Sequence, residues 1–390
     1  MSSISPTAAP PTTVGPVALE SARVEPGRPF VMHVTTGLEI GGGEVLLLNL
    51  VEAAQVRGLR SIVVSLIADG PMRRRFEAVG VEVLDLGLRR GAPTPAGLWR
   101  LVGLIRRYKP DVVQGWLYHG LIAATTALLL SGRRRQTRLV HGIYGSSIDF
   151  RAYGLKVLLG FRLAGFMARF ADAAIYTTDN GEAWHRQHGY RYRRVVTIEN
   201  GIVVDRFRLP ADQRAAMRAR LGIGADEVVA ISIARVDPMK GWDRLLAVTA
   251  RIPGLRLLAL GHGTENFPPH PSRILMGARE DVPALLAAAD LFVIASLFGE
   301  GTSVALTEAM AASLPVVVTD VGDNARLAEG SGRVVAADDE AGLEQALRDL
   351  AADPAERARL GAAGLAKVRA HYSIEQAVAA YYAVYAGDAR

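Results

Sequence analysis

The sequence predicts an α/β protein built from two doubly wound parallel-sheet domains, and three observations carry that reading. Short apolar runs alternate with stretches of helical composition along most of the chain. The alternation runs through twice, with Asn200-Gly201 and then Pro210 between the two sets. At 390 residues, half of them apolar and with mean hydropathy +0.18, the chain exceeds what one core ordinarily serves.

In the first half the spacing predicts strands over 30–35, 61–67, 81–86, 112–116, 138–143, 174–177 and 195–198. In the second half it predicts strands over 228–234, 256–260, 273–276, 291–295, 315–319 and 333–335. Helical patterns fall between most of them, at 44–56, 95–107, 242–250, 304–312 and 341–351. Strand, helix and strand in that order make right-handed crossovers and parallel sheets. The expected division is a disordered leader over 1–27, a first domain over 28–205, a second over 206–370, and a terminal helix over 371–390 that crosses back. The leader holds five prolines and no charged side chain before Glu20. It lacks the basic and apolar regions of a secretory signal.

Composition excludes several classes. With no cysteine, disulfides, thiolate metal sites and cysteine nucleophiles are impossible. The longest uncharged apolar run, 120–131, is far short of the roughly 20 residues that cross a bilayer. Residues 28–205 hold 24 Lys and Arg against 14 Asp and Glu, an excess of ten positive charges. Residues 206–390 hold 20 against 23, an excess of three negative ones. A basic first half suits contact with anionic lipid or phosphate. Arg73 to Arg75, Arg133 to Arg135 and the helix-like segment 155–170 are candidate contact points. The plainer reading of that segment is a buried helix with solvated arginines. No recognition motif for nucleic acid is present.

Site chemistry concentrates in Glu300-Gly301-Thr302-Ser303-Val304-Ala305-Leu306-Thr307-Glu308. Glu300 falls in the loop after the strand at 291–295, on the edge where α/β sheets bind ligands. Thr302 or Ser303 can cap the helix that follows, whose free N–H groups favour a phosphate. Glu308, within its first two turns, can accept hydrogen bonds from ligand hydroxyls. Arg235 ends the strand at 228–234, and Lys240 follows across a Pro turn. Fork and point charge together can clamp a diphosphate. Gly41 to Gly43, ahead of a helix, let backbone approach a ligand. Neither this loop nor Gly261-His262-Gly263 completes G-x-G-x-x-G, because Leu46 and Asn266 stand where the third glycine belongs. No Asp-x-Asp loop, His-Glu-x-x-His or G-x-S-x-G elbow occurs, so neither a metal-dependent transfer nor serine hydrolysis is supported. Read alone, each piece also fits a bland capped helix or a solvated surface.

Together these residues resemble a family 4 retaining glycosyltransferase of the GT-B fold, from the branch that builds exopolysaccharide, capsule or lipopolysaccharide. The resemblance runs from about residue 30 to the C-terminus. It rests on His33-Val34 through Glu44, Pro110-Asp111 through Trp116-Leu117-Tyr118-His119, Asn200-Gly201, Arg235 to Lys240, and the E-x7-E loop with Asp320-Val321-Gly322-Asp323-Asn324. It implies two Rossmann-like domains facing across a cleft, the second holding a UDP- or GDP-linked sugar and the first the acceptor. It implies Arg235 and Lys240 on the diphosphate, Glu300 on the sugar hydroxyls and Glu308 on the ribose. Backbone at Gly301 to Val304 would meet the phosphate from one side, Gly42 and Gly43 from the other. It further implies hexosyl transfer with retention, without metal or cofactor, to a lipid-linked or polysaccharide acceptor, by a cytoplasmic protein at the inner face of the membrane. The family usually reads Trp-Gly-Ile-Arg-His-Ser after the strand at 138–143. Here His141 stands at the tryptophan's place and Gly145 at the histidine's, which points to His141 as the catalytic substitute, or to His119 on the acceptor side. A nucleotide-sugar epimerase and a non-catalytic sugar-nucleotide-binding relative are the alternatives.

Overall fold

The computed structural model describes residues 28–387 apart from 69, 90–93, 145–147, 149, 151–153 and 225, so the leader over 1–27 and Gly145 lie outside the described residues. Two parallel sheets organise the chain. The first, of seven strands, comprises β1 (Val31–Thr35), β2 (Ser61–Ile67), β3 (Glu82–Leu88), β4 (Val112–Trp116), β5 (Arg138–Ile143), β6 (Ala173–Tyr176) and β7 (Val195–Thr197), in the order β3-β2-β1-β4-β5-β6-β7. The second, of six strands, comprises β8 (Val228–Ile233), β9 (Leu255–Leu260), β10 (Arg273–Gly277), β11 (Leu291–Ile294), β12 (Val316–Thr319) and β13 (Gly332–Val335), in the order β10-β9-β8-β11-β12-β13. Every expected strand is present within a residue or two of its predicted ends.

The central strands are buried on both faces, which is why they read as largely apolar runs without polar alternation. In the first domain, helices Gly42–Val56 and Ile374–Ala386 cover one face, and Pro95–Tyr108 and Leu117–Ser131 the other. In the second, Val282–Ala288 and Val304–Ala311 cover one face, and Trp242–Ala250 and Glu340–Ala352 the other. The chain passes from one core to the other between Ile198 and Ile202, and returns between Tyr372 and Ile374.

The returning helix is fixed by polar contacts as well as packing. Tyr385 donates to the Gln114 carbonyl oxygen, and the Tyr381 hydroxyl lies 3.3 Å from that of Tyr144. Gln114 donates to the same Tyr144 hydroxyl at 3.1 Å, and the Tyr144 ring stacks on Trp116 at 4.6 Å. The segment 155–170 forms helix Leu155–Met167 and a short turn, Ala168–Phe170. Contrary to the plainer expectation it is not a buried helix: only Phe161 and Ala164 of Leu155–Met167 are fully covered. Among the described residues no helix is long and apolar enough to cross a membrane.

Candidate active site

Each sheet reverses its winding once, between β1 and β4 in the first and between β8 and β11 in the second. Crevices at such reversals, outside the carboxyl ends of the strands, are where open α/β sheets bind ligands. His141 apart, the predicted residues fall in the loops and first helical turns that follow these four strands. Gly42 and Gly43 follow β1, His119 follows β4, Arg235 and Lys240 follow β8, and the segment from Glu300 to Glu308 follows β11.

The second domain supplies the charges. Lys240 Nζ lies 2.6 Å from Glu300 Oε1, with both side chains largely buried, and Ser296 Oγ donates to that same oxygen at 2.5 Å. Sequence alone placed Lys240 and Glu300 sixty positions apart on separate loops; the fold makes them one ion pair. Arg235 is more open: its guanidinium Nη2 is 2.9 Å from Asp237 Oδ2, and its side chain is 59% exposed. Asp237 also accepts from Met239 N at 3.0 Å, capping the turn Pro238–Lys240 that presents the lysine.

The loop carrying Glu300 is shaped by close approaches. Gly322 has φ +62°, and a Cβ there would stand 2.0 Å from Glu300 O, so only glycine lets the next loop press on it. At Gly301 a Cβ would stand 2.8 Å from Tyr144 O of the first domain. Thr302 is turned toward that domain, its hydroxyl donating to Thr177 O at 3.2 Å and its carbonyl accepting from Asn200 Nδ2 at 2.8 Å. Ser303 is therefore the helix cap, accepting from Leu306 N at 3.4 Å.

Helices Gly42–Val56 and Val304–Ala311 meet across the cleft: a Cβ on Gly42 would lie 3.7 Å from Val304 Cγ2. Two helix starts thus converge, each with unsatisfied N–H groups and a positive dipole end. Glu308, one turn beyond Val304, is recessed in the same wall. Burial raises its carboxyl to about 7, against a smaller opposing pull from Arg75 of the first domain. Among the described residues no hydrogen bond reaches that carboxylate.

His141 does not reach this site. Its ring is fully buried on β5. The Thr125 hydroxyl gives its single proton to Leu121 O at 2.6 Å, so His141 Nε2, 2.8 Å away, must be the donor between those two. Nδ1 then accepts from Tyr192 at 3.1 Å. Both ring nitrogens are spent, and burial holds the group neutral with its pKa lowered to about 3. The expectation of a catalytic His141 is corrected on this geometry. His119 is exposed in the first turn of helix Leu117–Ser131, after β4. His185, to which no role was given, is held between Tyr118 and Gly181 O, and burial lowers its pKa to about 4.

A network across the domains also went unread. Glu199 pairs with Arg326 at 2.6 Å, Arg326 with Asp323 at 2.9 Å, and Asn180 donates to Asp323 at 3.0 Å. Asp323 belongs to the run Asp320 to Asn324, but nothing in one sequence says which acid faces which base across a cleft. Among the described residues no group of three or more His, Asp and Glu side chains could hold a metal ion.

Comparison with known proteins follows the same two-domain division. Residues 40–206 match the model of Glycosyltransferase Family 4, and residues 227–353 that of Glycosyl transferases group 1. D-inositol 3-phosphate glycosyltransferases of Mycobacterium tuberculosis and Mycobacterium bovis are 33% identical over 172 residues, covering 39% of this chain. The match spans only 35% of those relatives' length. Anabaena HepE in complex with UDP-glucose superposes with TM-score 0.81 at 19% identity, over 92% of this chain and 100% of that one. WaaG, a glycosyltransferase involved in lipopolysaccharide biosynthesis, gives 0.71 at 17% identity, over 92% and 100%. The fold is that of the GT-B glycosyltransferases. One family match on each domain, with the curated relatives, supports a glycosyltransferase.

Proposed function

We propose that the protein transfers a hexosyl or N-acetylhexosaminyl group from a nucleotide-diphosphate sugar to a lipid-linked or polysaccharide acceptor, with retention of configuration and without a metal, in cell-surface polysaccharide synthesis. The observation that carries this is the convergence of three segments, those that leave β1, β8 and β11 at the two sheet reversals. It brings two helix starts face to face beside the Lys240–Glu300 pair. Anionic phosphates suit the helix starts and the cations. HepE, of the same fold, binds UDP and UDP-glucose, and WaaG serves lipopolysaccharide synthesis.

On this reading Lys240 and Arg235 turn from Glu300 and Asp237 to the donor diphosphate. Backbone at Gly301 to Val304 and at Gly42 and Gly43 closes over it, and Glu308 accepts from the ribose. Glu300, released by the lysine, accepts from the sugar hydroxyls. The bond from the anomeric carbon to the diphosphate oxygen breaks and the acceptor oxygen bonds to that carbon on the same face. The departing diphosphate takes the acceptor proton, and the two cations stabilise its charge. His119, exposed beyond β4, stands on the acceptor side. The positive excess of the first half supports work at the inner, anionic face of a membrane.

The test is thermal stabilisation by UDP, GDP, ADP and their sugars without added metal, followed by product analysis. Selective stabilisation by one nucleotide series, with sugar transferred to an acceptor, is expected. Sugar interconversion without acceptor would make the protein an epimerase, and binding without turnover a non-catalytic relative. No stabilisation by any of them would overturn the donor site.

A further inference from the structure

We propose that helix Leu155–Met167 is a bilayer-docking element whose outer face inserts among anionic lipids. Leu155, Leu159, Leu163 and Phe166 are 68%, 56%, 44% and 48% exposed, four large apolar side chains on one short helix. Their spacing of four, four and three places them on one helical face, with Arg162 beside them. The opposite face supplies Phe161 and Ala164 to the domain interior, where they pack with Leu121 of the neighbouring helix. The exposed stripe is therefore the face left over once the fold has taken what it needs. Helix Leu117–Ser131, just as apolar in sequence, is instead buried along its middle at Leu121, Ala124, Thr125, Ala127 and Leu128, and exposes large apolar side chains only in its last turn, at Leu129 and Leu130.

Charge selects the occupant. Between residues 150 and 171 there are four basic residues and no acidic one. Arg162 lies within the stripe, Lys156 flanks it on one side and Arg169 on the other. The Arg169 guanidinium stands 4.1 Å over the Phe166 ring, a cation seated on the edge of the stripe. An apolar stripe rimmed by cations matches acyl chains beneath anionic headgroups. It matches a second copy of itself poorly, because the cations would face each other. The helix returns antiparallel to β5, so its first turn, at Leu155, lies toward the cleft end of the domain. An acceptor held by its lipid would then be presented from that side. The proposal stands on the helix alone and not on the reaction assigned above.

The decisive experiment is co-sedimentation of the full chain with vesicles of phosphatidylcholine, with and without phosphatidylglycerol, at low salt and at ~0.5 M salt. The wild type should bind the anionic vesicles and keep part of that binding at high salt, because insertion is not screened. Replacing Leu159→Ser and Leu163→Ser together should lower binding about tenfold or more at both salts. Replacing Arg162→Glu and Arg169→Glu should cost about tenfold on anionic vesicles and little on neutral ones. Both double variants change exposed residues, so their unfolding midpoints and their stabilisation by nucleotide should match the wild type. A wild type that ignores vesicles, or leucine variants that bind as well, would overturn the proposal. So would leucine variants that convert a dimer to a monomer without any vesicle binding, which would make the face a contact between copies.

Discussion

The second-domain wall of the cleft presents charged side chains that carry their own partners, Lys240 with Glu300 and Arg235 with Asp237. The first-domain wall presents glycine backbone at Gly42 and Gly43 over an interior of sealed histidines and tyrosines. Both walls descend from the same winding of strands and helices, yet on the proposed reading one exchanges partners with a ligand and the other holds still. Ion pairs such as Lys240–Glu300 keep each charge satisfied until a ligand takes its place. An unpartnered lysine or glutamate in that position would cost several times more. In the first domain His33, His141 and His185 are all held neutral by burial, with pKa values lowered to about 3, 3 and 4. Such groups fix shape and do not exchange protons near neutrality.

The contrast breaks if the charged wall proves dispensable. Glu300→Ala, Arg235→Ala and Lys240→Ala are each expected to lower turnover by about 10²–10³-fold, read as steady-state rates on folded protein. Lys240→Ala and Glu300→Ala should also destabilise, each by about 1–3 kcal/mol, because each leaves the other member of the pair buried without its counter-charge. Rates unchanged in all three would move the site elsewhere.

Glu308 sharpens the contrast because function and stability should part there. Its carboxyl is raised to about 7, so between about pH 4.5 and 7 the folded state keeps a proton that the unfolded chain gives up. Its contribution to stability is thus greatest in acid and is lost as pH rises through 7. Glu308→Gln should stabilise the protein at pH 8 by on the order of 1–3 kcal/mol, and flatten that part of the pH–stability curve. The same change should weaken nucleotide-sugar binding about tenfold by calorimetry. A variant that loses stability at pH 8 would show that the carboxylate is better satisfied than its surroundings indicate.

For the quiet wall the expectation reverses. His141→Gln should keep turnover within about twofold while costing about 1–3 kcal/mol in chemical denaturation, through its bonds to Thr125 and Tyr192. Because the three buried histidines have lowered pKa values, the unfolded chain binds protons that the folded one refuses. Their contribution is intact above about pH 6.5 and falls away as pH drops toward 3 to 4. Loss of turnover in folded His141→Gln would return that residue to the chemistry. The smallest effect belongs to Ser313, exposed with φ +62°, a conformation glycine adopts without strain. Ser313→Gly should gain about 0.5–1 kcal/mol and leave turnover alone.

The fold was legible because its signals are local. Runs such as 228–233 and 291–294 are almost wholly apolar, as strands buried on both faces are, and helices carry their own caps at Thr94, Ser303, Asp339 and Ser373. Which loops carry the candidate site was legible for a related reason, since a charged or glycine residue just past an apolar strand has one edge of the sheet to occupy. Partnerships were not legible. That Lys240 meets Glu300, that Arg326 bridges Glu199 and Asp323, and that Thr302 turns to the first domain and leaves capping to Ser303 all depend on how two sheets face each other. Composition also could not separate two apolar helices, 117–131 and 155–167, of which one is buried along its middle and the other has an open face along its length.

The chain crosses between its domains twice, and the two crossings run side by side. Ile202 N donates to Tyr372 O at 2.9 Å, Ile374 N donates to Ile202 O at 3.1 Å, and Ile202 and Ser373 form a parallel bridge. A single crossing strand behaves as a swivel, free to twist as well as bend. Two strands bonded edge to edge behave as a strap hinge, stiff to twisting and compliant about one axis. Any relative movement of the two domains would thereby reduce to one angle. In such a movement each pair of opposed residues, Gly42 and Val304 or Gly301 and Tyr144, would part along its own fixed arc and come back into the same register.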